Sequence, residues 1–195
     1  MMKKTNLYTG LLMTVMLMVS ITLSAGTYSG GDGSSSNPYE INTTGDLIEL
    51  SNTSGDWDQN FIQTADIVFD SDETNVDWDG DGSPDGSGTS GFSPIGNNTT
   101  NFTGSYNGQD YIIDNIYLDR PNSKYNALFG YIDGGTIEKL GVTNVDINGA
   151  TKSNFDGTST FDAALAGKIE NTTTITQCYS TGSVKGNSNV GGLIG

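Results

Sequence analysis

Apolar residues are distributed along this 195-residue chain in two distinct ways. From Leu11 to Leu23 they run almost unbroken, LLMTVMLMVSITL, whereas beyond Gly26 they come in short alternating bursts set among Gly, Ser, Thr, Asn and Asp. Alternation with a period of two, punctuated by turn residues, predicts short strands joined by tight turns. One segment departs from it. Thr43 and Asp46 form a capping-box pattern, with Asp in place of the usual Glu or Gln, and Leu47, Ile48 and Leu50 follow on adjoining positions. This predicts a short amphipathic helix that covers the end of a stack of strands, where a core and an unpaired strand edge need a lid.

The strand-like part repeats itself. Thr136 to Gly149 (TIEKLGVTNVDING) aligns at both ends with Thr174 to Gly186 (TITQCYSTGSVKG), the second copy being one residue shorter. The missing residue must fall in a turn if both strands keep their inward faces. Ile113 to Leu118 matches Ile137 to Val142 position for position at an offset of 24, which reads as a third copy. A second motif alternates with the first: Ala127-Leu128-Phe129-Gly130, Ala164-Leu165-Ala166-Gly167 and Gly192-Leu193-Ile194-Gly195, spaced by 37 and 28 residues. The longer interval is explained by a loop inserted at Ala150 to Ser159 (ATKSNFDGTS), which is rich in turn residues and poor in apolar periodicity.

Repeats of this length cannot bury a core singly and must stack. The fold expected is all-β, a parallel β-solenoid with a short N-terminal capping helix, in which Ile137, Leu140, Val142, Val145 and Ile147 point inward. Cys178 lies one position from the alignment of Leu140 and reads as a small buried hydrophobe.

These repeats resemble the GLUG-motif repeats of bacterial surface proteins, named for a Gly-Leu-hydrophobic-Gly signature. Gly192-Leu193-Ile194-Gly195 matches that signature in full, and Cys178 to Gly195 looks like the family's commonest repeat text. The earlier copies depart from it, with Ala127 and Ala164 in the first glycine position and Ala166 in the hydrophobic one. The resemblance covers about Phe102 to Gly195. It implies a right-handed parallel β-helix in secreted or cell-surface, adhesin-like proteins, some of which carry a separate protease domain, and it brings no catalytic residue with it.

The unbroken apolar run follows Lys3 and Lys4 and leads into Ser24, Ala25 and Gly26, the three-part pattern of a secretory signal peptide with cleavage after Ala25 or Gly26. At about 13 residues it is short for a membrane span, which needs roughly 20. The domains expected are therefore a signal peptide at 1–25, a flexible leader at 26–38, an N-terminal cap with an acidic loop at 39–101, and stacked repeats at 102–195. Gly195 closes a repeat motif with no polar cap after it, so the chain is expected to be part of a longer protein whose further domains lie beyond it.

Six basic and all 23 acidic residues follow the signal, a formal charge of −17. Such a surface repels nucleic acid and anionic membranes and favours cations, or else simply keeps an extended surface protein soluble. A single cysteine excludes an intrachain disulfide, and the absence of histidine removes the commonest general base and excludes an HExxH zinc site.

The densest chemistry is Asp77-Trp78-Asp79-Gly80-Asp81-Gly82-Ser83-Pro84-Asp85. Hard oxygen donors at positions 1, 3, 5 and 9 with glycine at position 6 suit Ca²⁺, and the ligands expected are Asp77, Asp79, Asp81, Ser83 and Asp85. Position 12 is Gly88 rather than a bidentate glutamate and no helices flank the loop, so it is no EF-hand; it looks like the DxDxDG loops of extracellular repeat proteins. Asp70, Asp72 and Glu73 stand nearby. The alternative is a solvated acidic turn.

No catalytic centre is expected. Parallel β-helices also host polysaccharide lyases and hydrolases, but here Arg120 sits beside Pro121 at a turn, the lysines are scattered, and Asp110, Asp114 and Asp119 are polar strand positions that face solvent. Trp57, Trp78, Tyr106, Tyr111 and Tyr117 are candidates for stacking on a surface glycan or a protein partner, although Trp57 and Phe61 also suit a place under the cap. The function expected is structural or adhesive, outside the cytoplasm, with a glycan-binding module or a carbohydrate-active enzyme as rivals.

Overall fold

The computed structural model describes residues 26–149 and 159–195. The signal peptide and nearly all of the loop insertion therefore lie outside the described residues.

The described residues are mostly strand, with one α-helix. After β1 (Tyr39–Ile41) comes α1 (Thr44–Asn52), then β2 (Asn60–Gln63) and β3 (Ile67–Val68). A long irregular stretch leads to β4 (Ser105–Asn107), β5 (Ile112–Asp114), β6 (Tyr117–Asp119), β7 (Tyr125–Asn126) and β8 (Phe129–Asp133). The remainder is β9 (Thr136–Glu138), β10 (Gly141–Asn148), β11 (Phe161–Ala163), β12 (Ala166–Glu170), β13 (Thr174–Thr176), β14 (Tyr179–Lys185) and β15 (Asn189–Gly191).

Every pairing between these strands is parallel, and apart from β1 with β2, which α1 separates, no strand pairs with the next one in sequence. One row runs β1-β2-β4-β9-β13, a second β3-β5-β10-β14 with β6 also on β10, a third β7-β11-β15, and a fourth β8-β12. The register stacks like on like: Phe61 on Tyr106 on Ile137 on Ile175 in the first row, and Leu118 on Ile147 on Val184 in the second. The inward residues form one contiguous core in which Phe61, Tyr106, Ile113, Leu118, Ile137, Leu140, Val142, Val145 and Ile147 are all buried.

The alignment of Thr136–Gly149 with Thr174–Gly186 holds, and the missing residue falls between Val142 and Val145, where the β10–β14 register shifts at a bend through Asn144. Ala166 pairs with both Phe129 and Ile194, as the second motif requires. The offset of 24 does not hold. Ile113 pairs with Val142 and Leu118 with Ile147, an offset of 29. Apolar alternation is satisfied by either offset; what fixes the register is a bend of positive φ at Asp110, Lys139 and Gln177 (66°, 52° and 55°), residues that carry no turn signature as a set.

Helix α1 has its complete capping box. The Thr43 hydroxyl accepts from Asp46 N, and the Asp46 carboxylate accepts from Thr43 N at 2.8 Å. Leu47, Ile48 and Leu50 are buried against the stack. The segment 26–38 is tied down and is not a flexible leader. Its backbone bridges β1 (Ser29 N to Glu40 O, Glu40 N to Gly30 O), Asn60 N donates to Gly33 O, and the Tyr28 ring packs on Tyr39 and Phe61 at 4.5 and 5.7 Å. Main-chain bonds carry most of this attachment, which is why a composition poor in apolar residues conceals it.

Trp57, Trp78 and Tyr106 are buried, so three of the five aromatic candidates for stacking on a ligand belong to the core. Their polar atoms are satisfied inside: Trp57 Nε1 donates to Leu50 O, and Tyr106 Oη donates to Gln63 Oε1. Tyr111 is exposed and Tyr117 partly so. Cys178 is half-buried beside the core, with burial pushing its thiol pKa up.

Candidate metal centre

The acidic loop is anchored before it is acidic. Trp78 stacks on Phe69 at 4.8 Å and its indole N–H donates to Glu73 O at 2.9 Å, so the second residue of the loop is fixed in the core while its neighbours stay at the surface. The ends are closed by Asp85 N to Val76 O (3.0 Å) and Gly86 N to Thr74 O (3.2 Å). Gly82, at φ 96°, makes the bend that a side chain would strain.

Within this ring the Asp77 carboxylate accepts three backbone N–H groups: Gly80 at 2.7 Å and Asp81 at 3.0 Å on Oδ1, and Gly82 at 2.8 Å on Oδ2. Asp85 Oδ2 accepts from Trp78 N at 2.7 Å. These bonds aim carboxylates at a common point. Oxygens of Asp77, Asp79 and Asp85 lie within 4.8 Å of one another, the one such group among the described residues.

Of the five ligands expected from the sequence, three thus converge. The Asp81 carboxylate accepts from Ser83 N at 2.9 Å and does not join the group. Asp70 and Asp79 line a cleft of about 530 Å³ between the loop and α1, together with Glu49. Asp72 is occupied with Thr74. Asp110, Asp114 and Asp119 are not brought together; Asp114 accepts from the Thr143 hydroxyl and from Asn144 Nδ2. Sequence reading missed Asn52, whose side-chain amide donates to Asp79 O at 3.1 Å and ties the loop to α1. An asparagine ending a helix offered no sign of that role.

Electrostatics divides the carboxylates. Asp77 is desolvated, which raises its pKa, but the three amide donors outweigh this and hold it below the ordinary aspartate value. For Asp79 the Asp81 amide pulls down, yet desolvation, the charges of Asp81 and Asp85 and the adjoining Asp77 carboxyl together push it up. Three hard oxygen donors, mutually repelling and held by backbone amides, fit Ca²⁺, with carbonyls and water available to complete its shell.

No family profile matches the chain. Among curated proteins it is 35% identical over 170 residues to halomucin of Haloquadratum walsbyi, covering 85% of this chain and 2% of that protein. It is 28% identical over 127 residues to a candidate Gly-rich membrane protein of Evansella cellulosilytica, covering 63% and 13%. The chain thus spans a small fraction of either relative. A solved structure, a candidate immunoglobulin A1 protease of Bacteroides ovatus, aligns with 86% of this chain and 64% of its own at 16% identity, with a TM-score of 0.49.

Proposed function

We propose that the chain is a stacking module of a secreted or cell-surface protein: a right-handed parallel β-helix of the GLUG-repeat kind, serving structure or adhesion, with one Ca²⁺ stiffening its N-terminal part. The observation that carries this reading is the ladder of parallel, in-register strands, in which segments 22 to 46 residues apart place the same kind of side chain above itself. A protein that repeats one coil extends by adding coils, and its outer faces become a long surface without a catalytic pocket. The similarity to halomucin and to a candidate membrane protein favours the cell surface. No helix among the described residues is long and apolar enough to cross a membrane.

Asp77, Asp79 and Asp85 would hold the ion, which supplies positive charge where three carboxylates otherwise repel. Asp77 orients the turn through its three amides, Trp78 fastens the loop to the core, and Asn52 fastens it to α1. The reading assigns no catalysis to this chain, and its partner class is a surface glycan or protein. Antibodies raised against residues 26–195 test it: they should label intact, unpermeabilised cells of the source organism. Labelling only after lysis would contradict it.

A further inference from the structure

Asp56 presents an unusual demand. It is a carboxylate only 6% exposed, in a 3-10 turn (Ser54–Asp56) beneath the N-terminal end of the stack, and among the described residues no lysine or arginine pairs with it. A buried carboxylate needs a cation or strong donors. Two donors reach it, both at Oδ2: the Gly26 backbone N at 2.8 Å and the Tyr28 hydroxyl at 3.0 Å. Burial and then the Asp56 charge push the Tyr28 pKa up, so that hydroxyl donates a hydrogen and supplies no charge.

The other donor is the nitrogen that a cut after Ala25 would set free. Position 26 is also shaped for glycine, since a Cβ there would come within 2.7 Å of the Tyr28 ring and 2.9 Å of Glu49 Cγ. Glu49 therefore brings a second acidic side chain close to the same nitrogen.

We propose that hydrolysis of the Ala25–Gly26 bond is a folding step as well as an export step, because the ammonium it creates on Gly26 becomes the cation of Asp56 and latches the N-terminal strap onto the stack. The inference rests on reading 1–25 as an export signal. Water adds across the amide, the carboxyl group leaves with Ala25, and the protonated amine stays on Gly26. Before the cut that nitrogen offers the carboxylate one N–H without a charge; afterwards it brings a full positive charge to the same oxygen, so that the hydrogen bond becomes an ion pair. Segment 26–38 then seals the end of the stack through its bridges to β1 and the packing of Tyr28 on Tyr39 and Phe61.

The α-amino group ordinarily titrates near 7.7–8.0. Beside Asp56 its folded-state value rises, so its contribution is complete below about pH 8 and disappears as pH climbs through the raised value.

Two measurements on the processed chain test this. Mass spectrometry of the exported protein should show Gly26 as its first residue; another start, or no export, overturns the proposal. Thermal unfolding then compares 26–195 bearing a free amine with the same chain acetylated at Gly26, which keeps the N–H and removes the charge. At pH 7 the free amine should raise Tm by roughly 5 °C. The difference should vanish in Asp56→Asn and fade toward pH 10. Equal Tm values at pH 7 in a chain that starts at Gly26 would overturn the latch while leaving the export reading standing.

Discussion

At the scale of the residue, the separation of Asp79 from Asp81 is the sharpest distinction that the structure draws within the acidic loop. Spacing alone makes the two equivalent, each two residues from the next acid. The fold of the turn separates them: both accept the amide two residues on, but Asp79 converges with Asp77 and Asp85, whereas Asp81 lies outside that group. In a calorimetric titration Asp79→Ala should therefore abolish Ca²⁺ binding, and Asp81→Ala should keep it within a few-fold. Acid should act first through Asp79. Its pKa lies above the ordinary 3.8, so as pH falls it protonates before Asp77, and binding should weaken before the depressed Asp77 titrates. Affinity unchanged down to pH 4 would speak against this assignment. An acidic cluster was legible from DxDxDG; its membership was not, because that depends on how the backbone turn sets each carboxylate.

Among the elements, α1 was the most legible. Its signal was local: a threonine, an acid three residues on, and apolar residues on one face. Thr43→Ala removes the hydroxyl that accepts from Asp46 N and should cost about 1 kcal/mol in denaturant unfolding, with the strand rows unaffected. No measurable loss would mean that the cap is supported wholly from elsewhere. The strands were legible as a class through alternation and turn residues. Their register was legible only where text repeats closely, between Thr136–Gly149 and Thr174–Gly186. Between Ile113 and Leu140 both candidate offsets place apolar residues over apolar residues, and the bends that decide it sit on Asp, Lys and Gln. The attachment of the strap at 26–38 is hidden in the sequence for the same kind of reason, since main-chain bonds and one tyrosine ring hold it.

At the scale of the whole molecule, burial is graded along the stack. Ile137 is fully enclosed between Tyr106 and Ile175, whereas Ile175, in the last row position, is only partly covered. Ile137→Ala should cost about 2–5 kcal/mol, as for a methyl-rich side chain removed from a close-packed interior, and Ile175→Ala should cost clearly less. Equal losses would show that the two positions do not differ in packing. The aromatic residues follow the same gradient. Phe61, Phe102, Tyr106 and Phe129 crowd the interior of the N-terminal half with ring centroids 4.9 to 6.3 Å apart, where large side chains fill a wide core. That is why aromatic content, read from sequence as a possible binding surface, serves packing.

The proposed function requires that one repeated coil, wound right-handed and braced by Ca²⁺ near its N-terminal end, builds the module. A crystal structure of residues 26–195 grown with Ca²⁺ tests it most directly. The account predicts a continuous right-handed stack with Phe61, Tyr106, Ile137 and Ile175 in one column and an ion bound by Asp77, Asp79 and Asp85. Strands paired in another order, or a loop that leaves Ca²⁺ in solution at millimolar concentration, would contradict it.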